Sequence, residues 1–152
     1  MSAEERLAEM GIQLPTPPAP VAAYYPVVQT GNLCFVSGQL PMKDGRIMAI
    51  GHVPTSCAVE NAVAGARLCA INILAQLKAH LGSLDRIKHV VRLNGYVQSD
   101  HGFQNQPQVI NGASEFLAQV LGEAGKHSRA AVGVVELPMD ASVMIDAVVE
   151  VS

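Results

Sequence analysis

The segment Ser142 to Val151 constrains the fold more than any other stretch of this chain. Its odd positions Val143, Ile145, Ala147, Val149 and Val151 are all apolar, and this two-residue alternation predicts a β-strand with one buried face. Met144 and Val148 make the opposite face apolar too, the pattern of a strand covered on both sides. Two covers require two layers, and the helical segments suffice for one. The second face is therefore expected to be covered by other copies of the chain, with closed cyclic symmetry as the economical arrangement.

The helical layer is read from the 3.6-residue period. Between Ser56 and Leu81 the residues Val59, Val63, Ala66, Ile73, Leu77 and Leu81 recur at helical spacing, and Gly82 stands where a C-cap belongs. Pro107 to Glu123 reads as a second helix, with Pro107 suited to its first turn and Gly125 to its end. A short helix from Ala3 to Met10, capped by Ser2 and stopped at Gly11, precedes a Pro-rich connector from Leu14 to Pro20. Strand signals fall at Val27-Val28 and Leu33 to Ser37 around the turn Thr30-Gly31-Asn32, and at Arg46 to Ile50 after the turn Asp44-Gly45. Further ones lie at Ile87 to Val97 and Arg129 to Leu137. Asn94-Gly95 would suit a hairpin, but the β-branched run around it favours one continuous strand. The order resembles two βαβ halves and predicts an α+β fold, a mixed sheet with two helices packed on one face. A chain of 152 residues fits one domain, with residues 1–20 as N-terminal helix and connector and 21–152 as the core.

Composition narrows the function. A net charge of −3 with scattered Lys and Arg offers no stripe for a phosphate backbone, and no Trp with three Tyr and three Phe offers no stacking platform, so no nucleic-acid partner is expected. No apolar run approaches the ~20 residues needed to cross a membrane, the N-terminus is charged, and a cytoplasmic protein with no membrane partner is expected. Cys34, Cys57 and Cys69 are odd in number, lack CxxC spacing and sit among apolar neighbours, which predicts reduced core residues. No GxGxxG or phosphate-binding loop is present, His52, His80, His89, His101 and His127 are dispersed, and Ser37 is not in a GxSxG elbow. Neither a cofactor nor a metal is expected.

Two ionisable residues interrupt predicted buried strands: Arg129, at the start of Arg129-Ala130-Ala131-Val132-Gly133-Val134-Val135, and Asp146. Buried charges are costly unless paired. On one reading Arg129 caps a strand and Asp146 faces water beside Glu150, or the two pair with each other. On the other, Arg129 forks N–H donors onto a substrate carboxylate while Asp146 holds water or relays a proton.

The run Thr30-Gly31-Asn32-Leu33-Cys34-Phe35-Val36-Ser37-Gly38-Gln39-Leu40-Pro41 resembles the opening strand pair of the reactive-intermediate deaminase family, also known as YjgF-like or by the older label L-PSP endoribonuclease. Leu84 to Val91 is similar to the entry into that family's middle strand, and Val109-Ile110-Asn111-Gly112 to its second-helix Val-Asn motif. Arg129 to Val134 with Leu137-Pro138 resembles its Arg-Ser-x-Val-x-Val and Leu-Pro signature, and Met144-Ile145-Asp146-Ala147 its closing Glu-x-Glu-Ala. The resemblance spans roughly residues 20 to 151. It implies a chorismate-mutase-like fold, a barrel-centred homotrimer with clefts between subunits, and cofactor-free hydrolysis of enamines and imines such as 2-aminoacrylate to keto acids and ammonia. By resemblance Arg129 binds the substrate carboxylate, Asp146 positions the attacking water, Tyr24 lines the cleft, and Ser37, Gly38 and Asn111 line the pocket. Packing for Tyr24, a strand end for Ser37 and a helix-turn hydrogen bond for Asn111 are the plainer alternatives. Asp146 in place of Glu, Ala130-Ala131 in place of Ser-Cys, the N-terminal helix and the polar segment Ser99 to Gln106 depart from the family pattern and mark a distinct branch.

Overall fold

The computed structural model describes residues 1–19 and 22–152, so the boundary expected between connector and core, at residues 20 and 21, lies outside the described residues. Helix α1 spans Ala3–Glu9, and the Ser2 hydroxyl accepts the Glu5 N–H at 3.1 Å, the cap that its position predicts. Strands β1 (Val27–Thr30) and β2 (Leu33–Gln39) form an antiparallel hairpin. A separate two-residue hairpin follows, β3 (Met42–Lys43) and β4 (Arg46–Ile47), turning through Asp44 and Gly45, both at positive φ. The strand expected from Arg46 to Ile50 therefore stops at Ile47, and Ile50 joins the structure only through a bridge to Ala141.

Helix α2 (Val59–Leu81) ends where Gly82 takes φ +86, as its sequence position predicts. By length and hydropathy α2 could cross a membrane, a qualification to the sequence reading. In the fold it is a core helix, with Ala66, Cys69, Ala70, Leu74 and Leu77 at zero exposure. Strand β5 (Ile87–Gln98) runs unbroken through Asn94-Gly95. Gly95 serves packing rather than a turn: a Cβ there would meet Ile110 of the covering helix at 2.5 Å. That helix, α3, spans Gln106–Leu121, and its last turn tightens into a 3-10 turn through Gly125. The α-helix thus ends at Leu121, with Gly122 as its C-cap, rather than continuing to Glu123. Strand β6 covers Ser128–Val134 and β7 Val143–Val151.

The main sheet has the order β1-β2-β7-β5-β6, antiparallel except for the parallel pair β5–β6, which α3 connects by crossover. Both long helices pack against one face of this mixed sheet, and α1 lies beside α3, its Arg6 donating to the Val120 carbonyl at 2.9 Å. The core sits between helices and sheet and takes in all three cysteines, which are free and buried. Along β7 the odd positions are buried beneath the helices and the even ones are half-buried on the far side. That far face is open in the single chain, with Phe35 and Val132 each 46% exposed.

Candidate functional site

Strand register decides where each candidate side chain goes, because residues directly opposite in a ladder share a face. Arg129 lies opposite Leu93, which lies opposite Ala147, and both of those are buried under the helices. Arg129 therefore rises on the helix side of edge strand β6. Asp146 lies opposite Asn94, which lies opposite Ala130, on the open face. The two charges stand on opposite faces of one sheet, which removes the reading in which they pair with each other.

On the helix side, Arg129 Nη1 donates to Asn111 Oδ1 at 2.7 Å and to Ser114 Oγ at 3.0 Å, and Nη2 donates to the Pro107 carbonyl at 3.3 Å. All three acceptors are neutral and all belong to α3; Asn111 and Ser114, three residues apart, share a face of it. The ion pairs among the described residues are His52–Glu136, Lys78–Glu4 and Lys126–Glu123, so no carboxylate compensates this half-buried guanidinium. Ser114 Oγ also lies 2.9 Å from His127 Nε2, and His127 Nδ1 lies 2.7 Å from the Gly125 carbonyl. Ser114, Lys126, His127 and Arg129 line a surface depression of about 260 Å³. Burial pushes the His127 imidazole below its ordinary pKa, the charges of Arg129 and His89 add to this, and the bond to Gly125 opposes it.

On the open face, Asp146 accepts from Asn94 Nδ2 at 2.8 Å and from the Tyr96 hydroxyl at 3.0 Å. Arg92 Nε donates to Asn94 Oδ1 at 3.1 Å, which fixes the Asn94 amide so that its NH₂ faces the carboxylate. Burial, and then the hydrogen bond and charge of Asp146, raise the Tyr96 pKa. Ser37 donates through Oγ to the Tyr25 carbonyl at 3.0 Å, and Tyr24 and Tyr25 are both exposed. Gly38 lies over Met144, where a Cβ would meet its sulfur at 2.8 Å.

The structure thus joins Arg129 with Asn111, and places Ser37, Gly38 and Asp146 on the β2–β7 side. Strands β2 and β6 are three ladder steps apart, about 14 Å at the usual spacing. None of Tyr24, Ser37, Gly38 or Asp146 lines the depression at Arg129. Ser114, His127, Asn94 and Tyr96 were not singled out by sequence reasoning. Two spacings carried a signal: Ser114 follows Asn111 by three on one helix, and His127 precedes Arg129 by two along an extended segment. Among the described residues no three His, Cys, Asp or Glu side chains gather as metal ligands would.

A family model described as "YjgF/chorismate mutase-like, putative endoribonuclease" matches residues 4–151. Protein TCP17 of Trypanosoma cruzi is 44% identical over 147 residues, covering 96% of this chain and 92% of that protein. The crystal structure of Atu1372 from Agrobacterium tumefaciens, a protein of unknown function, is 51% identical with a TM-score of 0.92, covering 99% of this chain and 93% of that one. E. coli TdcF, crystallised with bound serine, is 25% identical with a TM-score of 0.62, covering 90% of this chain and 94% of that one.

Proposed function

The chain belongs to the YjgF/chorismate mutase-like family, and from that footing we propose that it is an enamine/imine deaminase, hydrolysing 2-aminoacrylate-like intermediates to 2-keto acids and ammonia. The observation that carries this reading is Arg129: a half-buried guanidinium held on neutral acceptors, with no acid partner among the described residues. Such a group retains its charge for an incoming carboxylate, which it can take through two parallel N–H donors. Serine bound to TdcF is a small molecule carrying an α-carboxylate, which supports the same ligand class.

Imine hydrolysis asks for a held carboxylate, a positioned water and a route for protons, and calls for no cofactor. Asp146 is the group for the water, yet within one chain it lies on the other sheet face from Arg129. The two converge when the open face of one copy receives the β6 edge of the next, so the reading includes a homotrimer with its clefts between subunits. Each cleft takes Arg129 and Asn111 from one copy and Ser37, Gly38 and Asp146 from its neighbour, with Tyr24 at the rim. The family's nuclease label finds little support in a chain of net charge −3 without Trp.

The test is the decay of 2-iminopropionate, generated by an amino-acid oxidase and trapped as its semicarbazone, with wild-type protein beside Arg129→Ala. Acceleration by the wild type alone, with the variant still assembled, is the expected result. No acceleration by wild type, combined with a rise in its melting temperature on adding pyruvate, would instead indicate a carboxylate-binding trimer without turnover.

A further inference from the structure

We propose that Ser114 and His127 form the proton relay of the Arg129 site, an inference that rests on the imine hydrolysis argued above. With a neutral His127 ring, the hydrogen bonds around these residues have one consistent direction. The Gly125 carbonyl can only accept, so His127 Nδ1, 2.7 Å away, carries the ring proton. In the neutral ring Nε2 is then bare, and Ser114 Oγ, 2.9 Å away, must donate its hydrogen to it. An Oγ lone pair receives Arg129 Nη1 at 3.0 Å. A serine hydroxyl thus has its proton aimed at a neutral imidazole whose far nitrogen is anchored, at the wall of the depression that Arg129 also lines.

That arrangement supplies what a carboxylate site alone lacks. With the substrate carboxylate on Arg129, the carbon bonded to it is the reacting imine carbon, and the relay requires bridging water between that carbon and the Ser114 hydroxyl on the same guanidinium. Water adds to this carbon of the protonated imine, forming the C–O bond as the C=N π pair moves to nitrogen. The water proton passes to Ser114 Oγ while the serine proton passes to His127 Nε2, leaving a carbinolamine and an imidazolium. The relay then runs backwards and delivers that proton to the amine nitrogen. The C–N bond breaks, ammonia departs, and the hydroxyl proton is lost to solvent as the keto acid forms. Atoms and charge balance as imine cation plus water giving keto acid, ammonia and a proton.

The surroundings favour a neutral resting imidazole. Arg129 on β6 and His89 on β5 face it with like charge, Lys126 on the preceding turn is paired with Glu123 at 2.7 Å, and α3 contributes only the Ser114 hydroxyl. His127 therefore remains a base below the ordinary histidine range, and activity falls only when pH drops through its lowered value.

The experiment measures kcat, KM and the pH profile of kcat/KM for 2-iminopropionate with wild type, Ser114→Ala, Ser114→Thr and His127→Gln. Relay function predicts that Ser114→Ala and His127→Gln lose on the order of 10²-fold in kcat with KM within a few-fold, that both lose the acid limb, and that Ser114→Thr keeps both. A purely structural role in bracing Arg129 predicts a raised KM with the acid limb intact, and that result overturns the proposal. Wild-type inactivity toward the imine overturns the deaminase reading and this inference together, whereas active wild type with unaltered variants overturns the relay alone.

Discussion

Replacing Gly112 by Ala tests whether α2 and α3 are as tightly seated as the site requires. A Cβ on Gly112 would stand 2.2 Å from the Val63 carbonyl oxygen and 3.0 Å from its carbonyl carbon, a clash with the backbone of the neighbouring helix rather than with a movable side chain. Relieving it to about 3.3 Å means separating the helices by about 1 Å. Overpacking costs about 1–3 kcal/mol, and backbone against backbone belongs at the upper end. At about 3 °C per kcal/mol for a domain of this size, the melting temperature should fall by about 9 °C. Gly82→Ala is the control. At φ +86 with no heavy atom within 4 Å of the added carbon, it bears only the left-handed backbone strain of about 1–2 kcal/mol, or about 3–6 °C. Scanning calorimetry at one protein concentration compares the two. Gly112 also lies between Asn111 and Ser114 on α3, so the same separation should weaken pyruvate binding, while Gly82→Ala leaves it unchanged. A Gly112→Ala variant melting within about 3 °C of wild type, or no lower than Gly82→Ala, would refute the close-packing argument.

Two further outcomes follow from the open sheet face. Val132→Asp places a charge where the proposed assembly buries an apolar side chain, so light scattering should show the monomer mass with an unchanged circular dichroism spectrum; retention of the wild-type mass would count against this face as the contact. Tyr96→Phe removes one of the two hydrogen bonds to Asp146 and should cost about 1 kcal/mol at neutral pH, read as a shift in the urea midpoint. The folded state holds the Tyr96 proton more tightly than the unfolded chain does, so this group's contribution is complete below the free-tyrosine pKa of about 10 and is lost as pH rises through the higher folded value. The gap between wild type and Tyr96→Phe should therefore narrow in alkaline urea titrations, and a constant gap would contradict the coupling.

Periodicity was readable wherever one face of an element is buried. The odd positions of β7, the stripe on α2 and the Gly82 stop are local signals, each set by residues a few places apart. Where tertiary contact overrides local preference, reading failed by a few residues. Arg46 to Ile50 has the composition of a strand, but only Arg46 and Ile47 pair in a ladder, and Ile50 makes an isolated bridge. Pro107 does not open α3 alone, since Gln106 joins its first turn. Ser114 and His127 lie 13 residues apart, and only the tight turn at the end of α3 lays them together, so neither stands out by composition or motif. Arg129 and Asp146 were visible as charges in apolar strands, and alternation set Asp146 on the even face of β7, but the face Arg129 takes relative to it is a property of strand register, to which single-sequence reading has no access.

That register bears on function through the neighbours each charge has been given. Among the described residues Arg129 is met only by neutral acceptors, and Asp146 by the neutral donors Asn94 and Tyr96. Each is oriented and neither is neutralised. A fold in which stability alone mattered would do better with apolar residues of similar volume at both positions, because an oriented, partly desolvated charge with no counter-charge is a net cost. On the proposed deaminase reading the cost is recovered when the two charges act on one solute, the cation holding its carboxylate and the anion holding the water that attacks it. Opposite faces of one sheet make this impossible within a single chain and natural between two copies. The exposed apolar surface around Asp146, with Phe35 and Val132 each 46% exposed, lies where such a second copy would have to dock. If the proposed reading holds, catalysis and assembly are one requirement, and a substitution that separates the subunits should abolish turnover even when Arg129, Ser114 and His127 are untouched.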